Sequence, residues 1–289
     1  MVTKTENSYI PSETENFNVI DSAAYASFAA YLRKIFHELY GARYAWYYFV
    51  RNALRYRYRR SNLGFLWNLL NPLLTMTVMS LAFSQVFNRD IKVYLVYLFS
   101  ASAPYTFLSM SIQHATQSLV SYEGFLKKIY LPKIFFPLVS VSIETINFFF
   151  SLCAMYIIAL VIGAQFSPAI LFLPFAILIL FVFSLGTGMI LSVAFVYFRD
   201  LSNIISVMFT ALFYLTPILY PEDQIPAKLG FLFKLNPLSY FVLLIRRLIL
   251  GDRPVTITDW AIPAAGALIV FIIGLIVMMK KDREVVYLL

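Results

Sequence analysis

Charge is what this sequence most lacks. Charged side chains make up 13% of its 289 residues, whereas soluble domains carry about 25%. Cysteine is nearly absent: the single one, Cys153, sits in an apolar run, forms no intrachain disulfide and says nothing of redox compartment. The two histidines, His37 and His114, stand far apart without carboxylate or thiol neighbours at ligand spacing, which argues against a metal site. No G-x-x-x-x-G-K-[ST] phosphate loop occurs, so the chain is expected to hydrolyse no ATP and to hold no cofactor of its own. Nucleophile elbows, paired acidic motifs and internal repeats are missing too, which weakens readings as a hydrolase or an inverted-repeat transporter. The first 20 residues are polar and acidic and lack the basic start and apolar core of a signal peptide, so the N-terminus is expected to stay cytoplasmic.

What remains is apolar: 61% of the residues are hydrophobic. Apolar runs fall at about 64–87, 93–116, 134–162, 168–198, 201–220 and 260–279. Each can cross a hydrocarbon layer of about 30 Å at about 1.5 Å per helical residue. The expected fold is therefore all-α and polytopic, with six transmembrane helices and both termini on one side. The expected division is a cytoplasmic extension over 1–40, an amphipathic interface helix over 41–62 and a transmembrane domain over 63–289.

The net charge of +8 follows the same plan. With the N-terminus inside, the inner segments hold Arg51, Arg55, Arg57, Arg59 and Arg60, then Lys127, Lys128 and Lys133, then Arg199, then Lys280, Lys281 and Arg283. The first two outer loops hold only Arg89 and Lys92. That distribution obeys the positive-inside rule and accounts for the basic excess without nucleic acid.

Residues 221–258 are not a simple loop, since Pro221, Pro226, Pro237 and Pro254 surround the apolar stretch 238–250. Thirteen residues cannot span, so an outer re-entrant helical hairpin is expected between spans five and six, the alternative being a helix lying flat on the membrane. Pro237 suits the first turn of that helix and Gly251 its end.

Several stretches carry candidate chemistry. In the helix before the first span, Arg51, Arg55 and Arg59 recur every four residues beside an apolar stripe of Tyr47, Val50, Leu54 and Tyr58. Arg57 falls nearer the stripe. Such a helix anchors at the inner interface, and with Arg51, Arg55, Arg57, Tyr58, Arg59 and Arg60 it could also capture an anionic head group such as a pyrophosphate. Tyr122, Glu123, Phe125, Leu126, Lys127 and Lys128 lie in a basic stretch between spans two and three, which is either an ordinary inner loop or a short helix that docks into a partner. The pair Arg199-Asp200 reads as a helix-end stabiliser. Glu144 is the one acid placed within a span away from its ends, and it suits a hydrogen bond or ion pair between helices. Tyr94, Tyr97, Tyr105, Tyr156 and Tyr214 fall within or beside spans, where tyrosine serves packing or offers a sugar an apolar face plus a hydroxyl.

Five short motifs, in order, carry a resemblance: Arg57-Tyr58 through Leu63-Gly64-Phe65-Leu66-Trp67 with Pro72; Phe125-Leu126-Lys127-Lys128-Ile129-Tyr130-Leu131-Pro132; Phe198-Arg199-Asp200; Thr216-Pro217-Ile218-Leu219-Tyr220-Pro221; and Leu235-Asn236-Pro237-Leu238. Over about residues 45–285 the chain resembles ABC-2 type permeases, above all the membrane subunits of bacterial O-antigen, capsule and teichoic-acid exporters. The resemblance implies a second copy of the chain, two copies of a separate ABC ATPase that binds ATP and magnesium, and a lipid-linked glycan as substrate. It also implies the bacterial inner membrane, a coupling helix at 121–130, a substrate-entry helix at 44–60 and an aromatic-lined pathway. The chain differs from the family in showing Asn52-Ala53 where an acid is usual and in the pair Arg246-Arg247. Rival readings are a drug or small-lipid permease, a polyprenyl-lipid transferase and a proton-coupled flippase.

Overall fold

In hydrocarbon a backbone amide has no water to bond, so a spanning segment must satisfy its hydrogen bonds internally. The computed structural model describes residues 28–57, 63–164, 167–220 and 230–288, and every regular element among them is α- or 3-10-helical. The chain divides between Arg43 and Tyr44 into two units. The first holds helix α1 (Phe28–Gly41), amphipathic, with Tyr31 and Ile35 buried one turn apart and Lys34 3.9 Å from Glu38. Just beyond it, the Arg43 guanidinium lies 4.5 Å from the Tyr40 ring centre.

The second unit begins within α2 (Arg43–Arg57) and continues through α3 (Trp67–Val86), α4 (Ile91–Ser121), the single turn α5 (Glu123–Leu126), α6 (Phe135–Ile162) and α7 (Leu173–Tyr197). It ends with α8 (Leu201–Leu215), α9 (Gly230–Leu235), α10 (Pro237–Leu250) and α11 (Ile257–Leu288). Five helical segments among the described residues are long and apolar enough to cross a membrane: Trp67–Val86, Ile91–Ser121, Phe135–Ile162, Pro168–Tyr197 and Ile257–Asp282. They coincide with five of the six expected spans. The fifth expected span, 201–220, is helical only over the 15 residues of α8, which reach about 22 Å. The cause is local. Pro217 disfavours helix at the residue before it, and Thr216 is extended with φ −103° and ψ 137°.

Helix α4 is the hub, packing against α3, α6, α7, α8 and α10. The Asp90 side chain caps its start, accepting from the Lys92 and Val93 amides at 2.9 and 3.3 Å. Its interior is rich in small residues, and the buried hydroxyls of Ser102, Thr116 and Ser118 donate to carbonyls of their own helix. A hydroxyl used this way can sit in an apolar layer without an unmet donor.

Between membrane helices, tight packing replaces the hydrophobic drive, and small residues permit it. A β-carbon at Gly188 would stand 2.4 Å from that of Ala115 in α4. One at Gly186 would stand 2.6 Å from the Phe271 backbone, and one at Gly274 2.7 Å from the Gly186 carbonyl. Helices α7 and α11 thus meet backbone to backbone at Gly186 and Gly274. Outward faces are apolar, as at Leu160 and Val161 of α6, Phe175 and Leu178 of α7, and Leu268 and Ile269 of α11, which suits acyl chains rather than water.

The α10 helix matches the expected capped stretch. Pro237 opens it, the Asn236 side chain accepts from the Leu238 amide at 3.0 Å, and Gly251 closes it at φ 64°. Leu238, Phe241, Val242, Ile245 and Leu248 are buried and the helix packs on α4, α7 and α11. It therefore lies within the bundle rather than flat on its surface. The residues expected to precede it, 221–229, lie outside the described part, as do 1–27 of the N-terminal extension.

We predict that Gly186→Val, which drives a branched side chain into the α11 backbone, lowers stability by about 1–3 kcal/mol or more. Thermal unfolding in detergent, followed by size-exclusion profile, should show the loss, while Gly266→Ala, in open space, should leave the profile unchanged.

Candidate functional site

The bundle has two ends. Call near the end that carries the 122–134 turn, residues 198–200 and the close of α11, and far the end that carries 87–90 and the close of α10. Three clusters of side chains stand out, one at each end and one between.

At the near end α2 is held by aromatic contacts. The Phe49 ring lies 5.7 Å from that of Tyr122, 5.0 Å from Phe125 and 5.4 Å from Phe135, and Tyr122 stacks on Phe136 at 5.4 Å. Pairs at such spacings add about 0.5–1.5 kcal/mol each beyond area burial. Trp46 also donates its indole proton to the Ser142 hydroxyl of α6 at 3.1 Å. The arginine helix and the 122–126 turn are therefore one packed joint. Burial pushes the Tyr122 hydroxyl above its ordinary pKa, so it stays protonated. In the turn, Lys127 and Glu123 pair at 2.5 Å, Phe125 is half exposed, Leu126 partly buried, and Lys128 exposed.

Of the basic residues read in α2, Arg51 and Arg55 are exposed and border a groove of about 490 Å³ with Trp46, Val50, Leu54 and Ile146. Arg51 also lies 5.9 Å from the Tyr47 ring centre. Arg57 closes the helix, but its side chain, like Tyr58, Arg59 and Arg60, falls outside the described part. The close of α11 ties the near end together: Lys133 pairs with Asp282 at 2.8 Å, and Tyr197 donates to Glu284 at 2.8 Å. Lys281 and Tyr197 hold the Glu284 carboxyl below its ordinary pKa. Arg199, read with Asp200 as a helix-end pair, lies 5.6 Å from the Phe195 ring centre, and Asp200 stands at the position before α8 begins.

At the far end the organising group is Arg246, 2% exposed, which sequence reading noted only as half of an unusual pair. Its guanidinium donates to the Pro217 carbonyl at 2.6 Å, the Ile218 carbonyl at 2.9 Å and the Tyr97 hydroxyl at 2.9 Å, and lies 4.0 Å from the Tyr97 ring centre. These carbonyls belong to the stretch where α8 has stopped, so Arg246 supplies the donors that a continuing helix would have supplied. Asn236 assists, donating to the Thr216 hydroxyl at 2.8 Å and the Leu215 carbonyl at 3.3 Å. Arg247 points elsewhere and pairs with Asp259, at 2.5 Å, at the start of α11.

The five tyrosines do not form one surface. Tyr94 is buried and donates to the Leu219 carbonyl at 2.7 Å; Tyr105 is buried and donates to the Phe209 carbonyl. Tyr94 and Tyr97 stack at 6.0 Å and border a far-end pocket of about 460 Å³ with Arg89 and Arg253. Tyr156 is half-buried in α6, and Tyr214, 61% exposed, is the only one of the five on an open face.

Between the ends, Glu144 makes the expected contact between helices. Its Oε1 lies 2.9 Å from His114 Nδ1 of α4, and its Oε2 accepts from Asn147 at 2.9 Å. The two residues are 30 positions apart in the chain, far beyond the short spacing at which sequence shows such a pair, and packing alone brings them together. No group of three potential metal ligands gathers among the described residues.

Sequence comparison agrees with this arrangement. Residues 44–250 match the family model described as ABC-2 type transporter. The chain belongs to the ABC-2 type transporter family. An O-antigen export system permease protein RfbA from Klebsiella pneumoniae is 30% identical over 191 residues, covering 66% of this chain and 74% of that protein. The protein of that name from Myxococcus xanthus is 31% identical over 207 residues, covering 71% and 80%. The ABC-2 chain is thus a transport subunit of an ABC transporter and a multi-pass membrane protein. The matched stretch starts within one residue of the division between the two units and closes at the end of α10.

Arg246→Ala should leave two buried carbonyls without donors, at a cost of about 2–5 kcal/mol. The expected result is a lower melting temperature of the purified ABC-2 chain, partly restored by Arg246→Lys, and an unchanged melting temperature would refute the clamp.

Proposed function

We propose that this ABC-2 chain is the membrane subunit of an exporter that moves a polyprenyl-pyrophosphate-linked glycan of the O-antigen type from the inner to the outer leaflet. Similarity over two thirds of the chain to permeases named for O-antigen export carries this reading. Two copies of the chain would form the pathway and two copies of a separate ATPase would drive it, binding ATP and magnesium themselves. The inner membrane is the proposed location, with the near end and both termini cytoplasmic. The basic residues Arg51, Arg55, Lys127, Lys128, Lys133, Arg199, Lys280 and Lys281 at the near end support that orientation.

The near-end joint supports a mechanism. An ATPase pressing on Phe125, Lys127 and Lys128 would move the turn, and the rings of Phe49 and Tyr122 would pass the displacement to α2. There Arg51 and Arg55, exposed along an apolar groove, suit a phosphate group on an apolar chain, since guanidinium pairs with phosphate in a bidentate manner. Substrate capture and nucleotide state would then be linked through packed side chains with no change in covalent structure.

Reversing both turn lysines, Lys127→Glu with Lys128→Glu, should abolish surface glycan while the permease still inserts; normal export by the double variant would sink the coupling role. Arg51→Ala with Arg55→Ala should cut export about tenfold or more, roughly one charge-assisted hydrogen bond's worth, while leaving co-purification with the ATPase intact. Full export from that variant would count against head-group capture.

A further inference from the structure

One polar cavity of the bundle has no place in the scheme above. It has a volume of about 520 Å³, lies between α3, α4 and α6, and is lined by Trp67, Asn71, Thr75, Thr106, Glu144 and Asn147 among others. Its position is unusual for a membrane helix bundle, because it opens on the lateral surface of the chain. Asn71, Thr75, Thr106 and the neighbouring His114 are exposed there. Amide, imidazole and hydroxyl groups turned toward acyl chains would be costly, so this face meets water or a polar ligand.

Its chemistry narrows the ligand. Glu144 is 6% exposed and offers a carboxyl already oriented by His114 and Asn147. Asn147 Oδ1 is buried and takes no hydrogen bond among the described residues, so an acceptor stands ready in the wall. Asn71 adds an amide that both donates and accepts, and Thr75 and Thr106 add hydroxyls. Trp67, 40% exposed, stands at the near-end mouth and the Phe99 ring lies deeper. Among the described residues no lysine or arginine lines the cavity, and its carboxyl, amide and hydroxyl groups suit a neutral polyol better than a phosphate. Vicinal hydroxyls would fit its acceptors, and a ring with C–H faces would fit its aromatics.

We infer that this cleft is a hydroxyl-recognising subsite that takes a sugar ring of the exported glycan, apart from the arginine groove that takes the phosphate end. The inference rests on the glycan-export reading and assigns the two ends of the substrate to two places on one chain. Glu144 and Asn147 accept from ring hydroxyls, and Trp67 receives the ring's apolar face.

The test uses the full complex of permease and ATPase in phosphatidylethanolamine nanodiscs. Asn71→Cys is introduced on a Cys153→Ala background and reacted with a hydrophilic methanethiosulfonate. The probes are the polyprenyl-linked glycan extracted from an export-blocked strain and undecaprenyl pyrophosphate bearing no sugar. Expected are rapid labelling without ligand, protection by the glycan lipid, and no protection by the sugarless lipid. Glu144→Gln, or Thr75→Val should the former fail to assemble, should raise the protecting concentration about tenfold. Absence of labelling places the cleft against lipid or a second copy and overturns the inference, as does equal protection by both lipids. Glycan export in cells separates the two claims. If a strain deleted for this chain still displays its glycan, the export reading fails; if display is lost and Asn71→Cys is not protected, only the cleft assignment fails.

Discussion

An unpaired backbone carbonyl in hydrocarbon costs several kcal/mol, and the far half of this bundle is arranged around avoiding that cost where a helix stops early. Proline at 217 ends α8, and the carbonyls of Pro217 and Ile218 would be unmet without Arg246. A buried guanidinium is itself expensive, but here two carbonyls, a hydroxyl and the Tyr97 ring share it. The remaining far-end contacts follow from that placement. Asn236 must start α10 beside Thr216, Tyr97 must stand on the α4 face toward α10, and Tyr94 must reach the Leu219 carbonyl. Two motifs that lie about twenty residues apart in sequence, Thr216–Tyr220 and Leu235–Leu238, are thus two halves of one knot.

The near end is held together by different means. Charged groups at its surface are exposed and screened, so their pairs contribute little individually. The aromatic rings beneath them are packed and directional. Phe49 touches the turn and the start of α6 at once, so α2 cannot shift without both. The charged ties of α11 to Lys133 and Tyr197 close the same end from the other side.

Most of the fold was legible because apolar runs of twenty or more residues leave few alternatives. Boundaries at Asp90, Gly163, Asn236 and Gly251 follow local capping chemistry, which acts within three or four residues and so survives in sequence. The shortened α8 was legible too, in Pro217, but uniform hydropathy to Tyr220 hid it. The sites were less readable. Glu144 drew notice as an intramembrane acid, whereas His114 joins it only through the packing of α4 on α6. Arg246 sits in an apolar helix where one buried cation is a signal, yet its partners are backbone carbonyls, which carry no residue code. Phe49 was lost among the other aromatic residues of its helix, since only depth against the turn distinguishes it. For the tyrosines, residue type left packing and sugar contact both open, and bonds to backbone carbonyls give Tyr94 and Tyr105 to packing.

The glycine contact between α7 and α11 has a mechanical consequence. Backbones that touch at Gly186 and Gly274 leave no soft side-chain layer to shear, so the two helices behave as a single stiff beam through the thickness of the bilayer. That beam carries the near-end ties of α11 and the far-end salt bridge from Arg247 to Asp259. Beside it, the lightly buried α3 and the short, broken α8 are the compliant members of the bundle.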